Sequence, residues 1–357
     1  MKIGLGIGLV TKTLGGGAIP PVNTVAPVIS GTAVVGQVLT STTGTWTGVP
    51  IPTFSYQWKR GATNIGTNSS TYTLVQADAG NTSNITCVVT ATNSAGSANA
   101  TSNTIAQILT VRTSAFLTAS AISDATIRGG LNTFDIGLIA NSLDTKMKAV
   151  YPFVGGTAST HKFNFMNSAD TDAAFRLAFN GTWTHSSNGV TPNGTNAFAN
   201  TFLNALNVFN ASNAHMSYYS RTNTANVEVE MGYWNLSTVI YHLRAASIFN
   251  FISSTASNLS YTTTTDSRGF WLNTKRANND REIYRNGVSE ATLTTTDTTA
   301  WGNFNIYIGA RNENGSAAIY STKQCAFATI GDGLTDTDAT NLYNLTQAFQ
   351  TSLGRQV

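Results

Sequence analysis

From Thr24 onward, short runs with apolar residues at every second position alternate with turn residues, spaced about 8–12 residues apart. Side chains of a strand point alternately to its two faces, so this pattern predicts a chain of half-buried strands. Phe54, Tyr56 and Trp58 share one face of a predicted strand, Thr71 to Leu74 form another, and Ile85 to Thr90 a third that closes at the turn Asn93 to Gly96. The period changes between Ala121 and Val150. There Leu131, Phe134, Leu138 and Ile139 recur at helical spacing, followed after a break at Asn141-Ser142 by Leu143, Met147 and Val150. Strand signals then return at Ser217–Ser220, Asn226–Met231, Thr238–Leu243 and Gly269–Leu272. Asn286-Gly287 marks a hairpin tip, because a type I′ turn needs positive φ at both central residues. Phe304, Ile306 and Ile308 alternate cleanly. The last element is a helix over 335–353, with Thr335 as N-cap, Asp336 and Asp338 in its first turn and Leu342, Leu345, Phe349 and Leu353 as its buried stripe.

The first ten residues, MKIGLGIGLV, differ from the rest. In an extended chain Ile3, Leu5, Ile7 and Leu9 fall on one side and Gly4, Gly6 and Gly8 on the other. A ribbon with one apolar face, and another that admits a foreign backbone, suits addition to a neighbour's sheet edge. A secretory signal with Lys2 as its basic end and an unstructured terminus are the other two readings. Gly15 to Gly17 and Pro20-Pro21 follow as a linker, so 1–23 reads as an anchoring arm with its linker.

Composition narrows the functions. Of 357 residues 41% are hydrophobic but only 10% charged, and roughly one in six is Thr, against about 25% charged in ordinary soluble domains. The surface is therefore one of hydroxyls and amides, whose contacts salt hardly screens. A net charge of +3 without a Lys/Arg run gives no footprint for nucleic acid. No apolar run reaches the ~18 residues of a membrane span. Cys87 and Cys325 lie too far from any second cysteine to suggest a disulfide framework or a zinc site, and no cofactor or metal is expected.

The strings GTWTG, YQWKRGATNIG, STYTLVQADAG and ITCVVTATNSAGS resemble a bacterial or phage immunoglobulin-like domain over 24–111. The resemblance implies that Trp58 is the core tryptophan and Asp78 to Gly80 the turn before the last long strand. It departs where Val38 and Leu39 replace the first cysteine, leaving Cys87 as a small buried hydrophobe, and where Ile85 replaces the corner tyrosine. The segment 112–357 resembles a concanavalin A-like, or laminin-G-like, jelly roll of the kind found in phage virion proteins. AVYPFVGGTASTHKFNF, NGTWTHSSNGVTPNGTNAF, YYSRTN, REIYRNGVSEA, IYIGARNENG and the last 31 residues from Phe327 carry that resemblance. The expected fold is all-β: two sandwich domains, with short helices at the junction (121–150) and the C-terminus.

The resemblance implies a non-enzymatic structural protein on a bacteriophage virion, a head fibre, decoration or tail component, assembled in the host cytoplasm. Its partners would be other virion proteins through the arm, further copies of itself, as a trimer if it is a fibre, and a host-surface polysaccharide. A carbohydrate-active enzyme of glucanase-like fold and an exported cellular adhesin are the alternatives. For an enzyme, Glu228 and Glu230 are the acids to weigh, about 7 Å apart along one strand face. The third acid of a glucanase pattern is missing, since Asn226 and Gly232 flank them, and Val227, Val229 and Met231 read as the core face with both glutamates in solvent. The histidines His161, His185, His215 and His242 are scattered, with no GxSxG elbow or phosphate loop. For glycan binding the candidates are Trp183 and His185 in one loop region and Arg311, Asn312 and Asn314 in another, where aromatic faces lie near amide and guanidinium donors.

Overall fold

The computed structural model describes residues 17–210, 212–224, 226, 228–235, 239–245, 248–254, 257–262 and 266–357; between 239 and 262 it describes the backbone and the side chains of Leu259 and Tyr261. The arm residues Ile3, Gly4, Leu5, Gly6, Ile7, Gly8 and Leu9, together with Val227 and the His242 side chain, lie outside the described residues. The chain divides into two compact units, Met1–Ile108 and Leu109–Val357. The architecture is mainly β, of sandwich type, with a few helices.

The first unit has strands β1 (Ile19–Val25), β2 (Ile29–Ser30), β3 (Val38–Ser41), β4 (Thr45–Val49), β5 (Thr53–Arg60), β6 (Thr63–Ile65), β7 (Thr71–Thr73), β8 (Ile85–Asn93) and β9 (Gly96–Thr101). They form sheets in the orders β6-β5-β8-β9, β2-β3-β7 and β1-β4. Alternation along β8 puts Ile85, Cys87 and Val89 inward against Trp58, Leu39, Leu74 and Ile29, and this cluster is the core. Trp58 lies directly across from Cys87, and its indole N–H donates to the Ser69 carbonyl at 2.9 Å. Buried Asp78 accepts from Tyr72 Oη at 2.8 Å and Arg60 Nε at 2.7 Å, a polar lock beside a core that has no disulfide.

The second unit opens with helices α1 (Val111–Ser120) and α2 (Ala125–Ala140), capped by the side chains of Thr110 and Asp124. It continues β10 (Met147–Tyr151), α3 (Ala158–His161), β11 (Ala178–Asn180), β12 (Trp183–Ser186), β13 (Gly189–Pro192), β14 (Phe198–Asn204), α4 (Ala205–Val208), β15 (Ala214–Ser220) and β16 (Glu228–Trp234). Then come β17 (Val239–Ala245), β18 (Ile248–Ser254), β19 (Ser257–Thr262), β20 (Gly269–Ala277), β21 (Asp280–Arg285), β22 (Val288–Leu293), β23 (Asn305–Ile308), β24 (Arg311–Glu313), β25 (Ser316–Ala318), β26 (Cys325–Gly331) and α5 (Asp336–Ser352). One sheet runs β12-β13-β26-β15-β20-β21-β22, with β10 on β26; the other runs β11-β14-β23-β16-β17-β18-β19, with β24 and β25 attached through β16. Ala149, Val190, Met216, Tyr218, Ala328 and Ile330 of the first sheet meet Ala199, Leu203, Met231, Tyr233, Ile306 and Ile308 of the second in one core. The other face of the first sheet is covered by helices: Phe327 of β26 touches Phe134 of α2 and Phe349 of α5, ring centroids 5.3 and 6.1 Å apart.

The helical stretch differs from the sequence expectation at both ends. Its second half, Met147 to Tyr151, is a strand paired with β26, and a separate helix, α1, precedes it. Met147, Ala149, Val150 and Tyr151 are all buried because β10 is covered on both faces, and a strand apolar on both faces has no alternation to betray it.

Candidate functional site

Glu228 and Glu230 share a face of β16, as alternation requires, but that face is not in solvent: both are buried. The loop Ser321–Lys323 lies over them. Lys323 Nζ stands 3.1 Å from Glu228 and 2.7 Å from Glu230, and Glu228 also accepts from the Thr322 amide at 2.9 Å, Thr322 Oγ1 at 2.6 Å and Asn226 at 3.1 Å. Burial pushes the Glu228 carboxyl up, but the Thr322 donors and the Lys323 ammonium outweigh it and bring it down to about 2. A carboxylate held this low inside a buried polar cluster is a poor general acid. Among the described residues no group of three or more His, Cys, Asp or Glu could hold a metal ion, and no helix is long and apolar enough to cross a membrane.

The larger unit instead carries an open cleft of about 590 Å³, built where three turns meet. The first is the α1–α2 turn: Ala121 takes φ 53° to stop α1, and Asp124 caps α2 by accepting from the Ile127 amide at 2.8 Å. The second follows β10, where Gly155 and Gly156 take φ 87° and 75° before Thr157 starts α3 in a capping box with Thr160. The third is the β12–β13 turn at Ser187. Hydroxyls of Ser123, Thr126, Thr160 and Ser187 line the cleft with Ile122, Ile127, Val154 and Leu353, and Asp124 brings the one carboxylate of the lining.

Two buried groups hold these walls. Arg355, 1% exposed, donates to the carbonyls of Pro152 (2.6 Å), Phe153 (2.9 Å), Ala326 (3.0 Å) and Ser187 (3.2 Å) and to the Gln350 amide oxygen (2.7 Å). Every hydrogen of the guanidinium has an acceptor, and all five acceptors are neutral; burial therefore brings the group down to about 9. His161, buried at the end of α3, accepts the Gly156 amide on Nε2 at 3.1 Å, and its Nδ1 lies 3.0 Å from Nδ1 of His185. Burial, with His185 and Arg355 nearby, brings His161 down to about 3; burial also lowers half-buried His185.

Trp183 and His185 thus occupy one face of β12, their rings 6.4 Å apart and each edge-on to Phe179. Trp183 is half-buried, its indole N–H donating to the Asn180 carbonyl at 2.9 Å. Arg311, Asn312 and Asn314 belong to the β24–β25 hairpin of the other sheet. Arg311 lies 4.7 Å over the Trp234 ring and pairs with Glu313, and Asn314 sits at the tip with φ 51°. Asn312 is buried, its amide spent on the Asn305 carbonyl and the Gly315 amide, both at 2.8 Å, so it fixes the hairpin. Sequence reasoning missed the cleft, set His161 aside as one of four scattered histidines, and missed Trp234. The available signal for the first two was Gly155-Gly156 followed by Thr157 and Thr160, a double-glycine turn running into a helix cap.

No protein-family model matches this sequence, and no curated protein matches it. Among solved structures it is similar to the botulinum neurotoxin serotype D binding domain, at 10% identity and a TM-score of 0.40 over 57% of this chain and 53% of that one. It is also similar to a NanB sialidase mutant from Streptococcus pneumoniae (11% identity, TM-score 0.37, 45% of this chain and 27% of that one) and to the Ruminococcus gnavus IT-sialidase CBM40 (13%, 0.30, 36% and 82%). The match spans about half the length of the neurotoxin domain.

Proposed function

We propose that this chain is a non-catalytic, glycan-binding surface protein of a bacteriophage particle, a head fibre, decoration or tail component. In this reading the immunoglobulin-like unit is a spacer and the concanavalin A-like, lectin-like unit presents the cleft outward. The arm from Ile3 to Leu9 docks on other virion proteins, and several copies assemble, as a trimer if the chain forms a fibre. The observation that carries the binding part is the cleft lining. Alternating hydroxyls and aliphatic side chains match a neutral saccharide, whose rim is hydroxyl and whose faces are C–H, and pockets of this kind bind through a few placed polar groups on an apolar wall. The buried Glu228–Lys323–Glu230 cluster speaks against the glucanase-like alternative.

The test has two arms. Thr126→Trp, at an exposed position in the first turn of α2, fills the cleft from its rim; saccharide binding on a glycan array is expected to fall at least tenfold with the melting temperature unchanged. Unaltered binding would move the site elsewhere. Deleting residues 1–14 is expected to leave folded protein that no longer co-purifies with particles, whereas an exported adhesin would show a processed N-terminus and no particle association at all.

A further inference from the structure

We infer that the His161–His185 pair is a proton-operated latch on the Gly155–Gly156 wall of the cleft, closed while both rings are neutral and released by acid. The inference rests on the cleft being the binding site. It follows from donors and acceptors alone. A backbone amide can only donate, so the Gly156 N–H requires a lone pair on Nε2 of His161, and the proton of a neutral His161 is on Nδ1. That proton points at Nδ1 of His185, 3.0 Å away, which must therefore carry the lone pair and leave the His185 proton on Nε2. Every position is now assigned. A second proton on His161 would set N–H against the N–H of Gly156; one on His185 would set N–H against the N–H of His161. Neither ring accepts a proton without breaking a hydrogen bond of the latch.

The surroundings reinforce this. The charged or titratable groups facing His161 are His185 from β12 and the guanidinium of Arg355 beyond α5, and neither stabilises an imidazolium. The remaining ring neighbours, Phe153 at 5.8 Å from His161 and Phe179 at 4.7 Å and Trp183 at 6.4 Å from His185, carry no charge. In the open state the rings return toward the ordinary histidine value of about 6.5, so protons bind the open state and drive opening as the pH falls.

For one proton taken up only on opening, the open population is expected to rise about 30-fold between pH 7.5 and pH 5.0. Hydrogen exchange at the Gly156 amide of the full chain reads this directly, once corrected for the intrinsic pH dependence of exchange. A loss of protection of about that size, absent in His161→Gln, whose amide oxygen can accept the same N–H but does not titrate, supports the latch. Equal protection at both pH values in the natural chain overturns it. Should His161→Gln fail to fold, imidazole ¹⁵N shifts of the natural chain decide at pH 7.5: His161 protonated on Nδ1 and His185 on Nε2 supports the latch, and the opposite tautomers overturn it. Saccharide binding separates the two readings. Binding at pH 7.5 that weakens at pH 5.0 supports both, whereas a chain that binds no saccharide at pH 7.5 overturns the glycan reading and leaves the latch to the Gly156 amide.

Discussion

At the scale of single residues, the unusual feature of this chain is where it spends its few charges. With only 10% charged residues, it buries Glu228, Glu230 and Lys323 together and places Arg355 in the interior against neutral acceptors. An ion cluster of this kind contributes little net stability when intact, because desolvation offsets the attraction, but removing one member strands the rest. Lys323→Met leaves two carboxylates buried with no ammonium between them, and we expect it to lower unfolding stability by about 3–5 kcal/mol. Adding Glu230→Gln to that variant should recover part of the loss, since one uncompensated charge then disappears. Urea denaturation of the single and double variants measures both steps. A Lys323→Met cost no larger than that of an exposed lysine would remove the structural role assigned to the cluster.

At the scale of elements, backbone close approach sets the architecture near the cleft. Gly189 opens β13 with φ 121°, and a Cβ there would lie 2.1 Å from the Cys325 carbonyl oxygen and 2.9 Å from Ala326 Cα, both on the backbone of β26. Neither atom can swing aside as a side-chain tip would. Gly189→Ala therefore has to part β13 from β26, and a destabilisation of at least about 3 kcal/mol is expected, read as a fall in the thermal midpoint. The same elements show what was legible in advance. Strands half-buried on one face announced themselves: β8 alternates with Ile85, Cys87 and Val89 inward, and the Asn286-Gly287 tip takes φ 49° and 76° as its turn type demands. Thr335 with Asp338 gave the start of α5, a cap written in local chemistry. Strands covered on both faces did not announce themselves. β10 lacks alternation and continued a helical pattern, and β16 seemed to offer solvent a face that the Ser321–Lys323 loop occupies. The cleft was illegible for the same reason: its walls come from three turns distant in sequence, and no local pattern encodes their meeting.

At the scale of the whole molecule, buried titratable groups make stability depend on pH over two ranges that overlap below about pH 4.5. His215 is kept neutral by burial and not by its partners: its Nδ1–H donates to the Asp332 carbonyl at 2.5 Å, its Nε2 lies 3.0 Å from Thr329 Oγ1, a hydroxyl able to donate or accept, and burial brings it down to about 4. With folded values of about 3 for His161 and about 4 for His215, both histidines take up protons in the unfolded chain first. Their contribution is whole above the unfolded value of about 6.5 and drains away as the pH falls below it. Between pH 7.5 and pH 5.0 this costs roughly 2 kcal/mol for each fully buried histidine, or about 4 kcal/mol together. Glu228, lowered to about 2, contributes stability that is present above the unfolded carboxylate value and is lost between about pH 4.5 and pH 2. Asp135 works in the opposite sense, since burial raises it despite Arg112, and it favours the folded state as acid increases. Urea midpoints of the full chain at pH 7.5, 5.0 and 3.0 are therefore expected to fall at each step, the histidines setting the first fall, where ordinary carboxylates are still ionised, and Glu228 adding to theirs in the second. A profile flat from pH 7.5 to 5.0 would mean that the interior admits charged imidazoles, and the neutral histidines at the cleft wall and on β15 could then not be what holds this sandwich to its neutral-pH form.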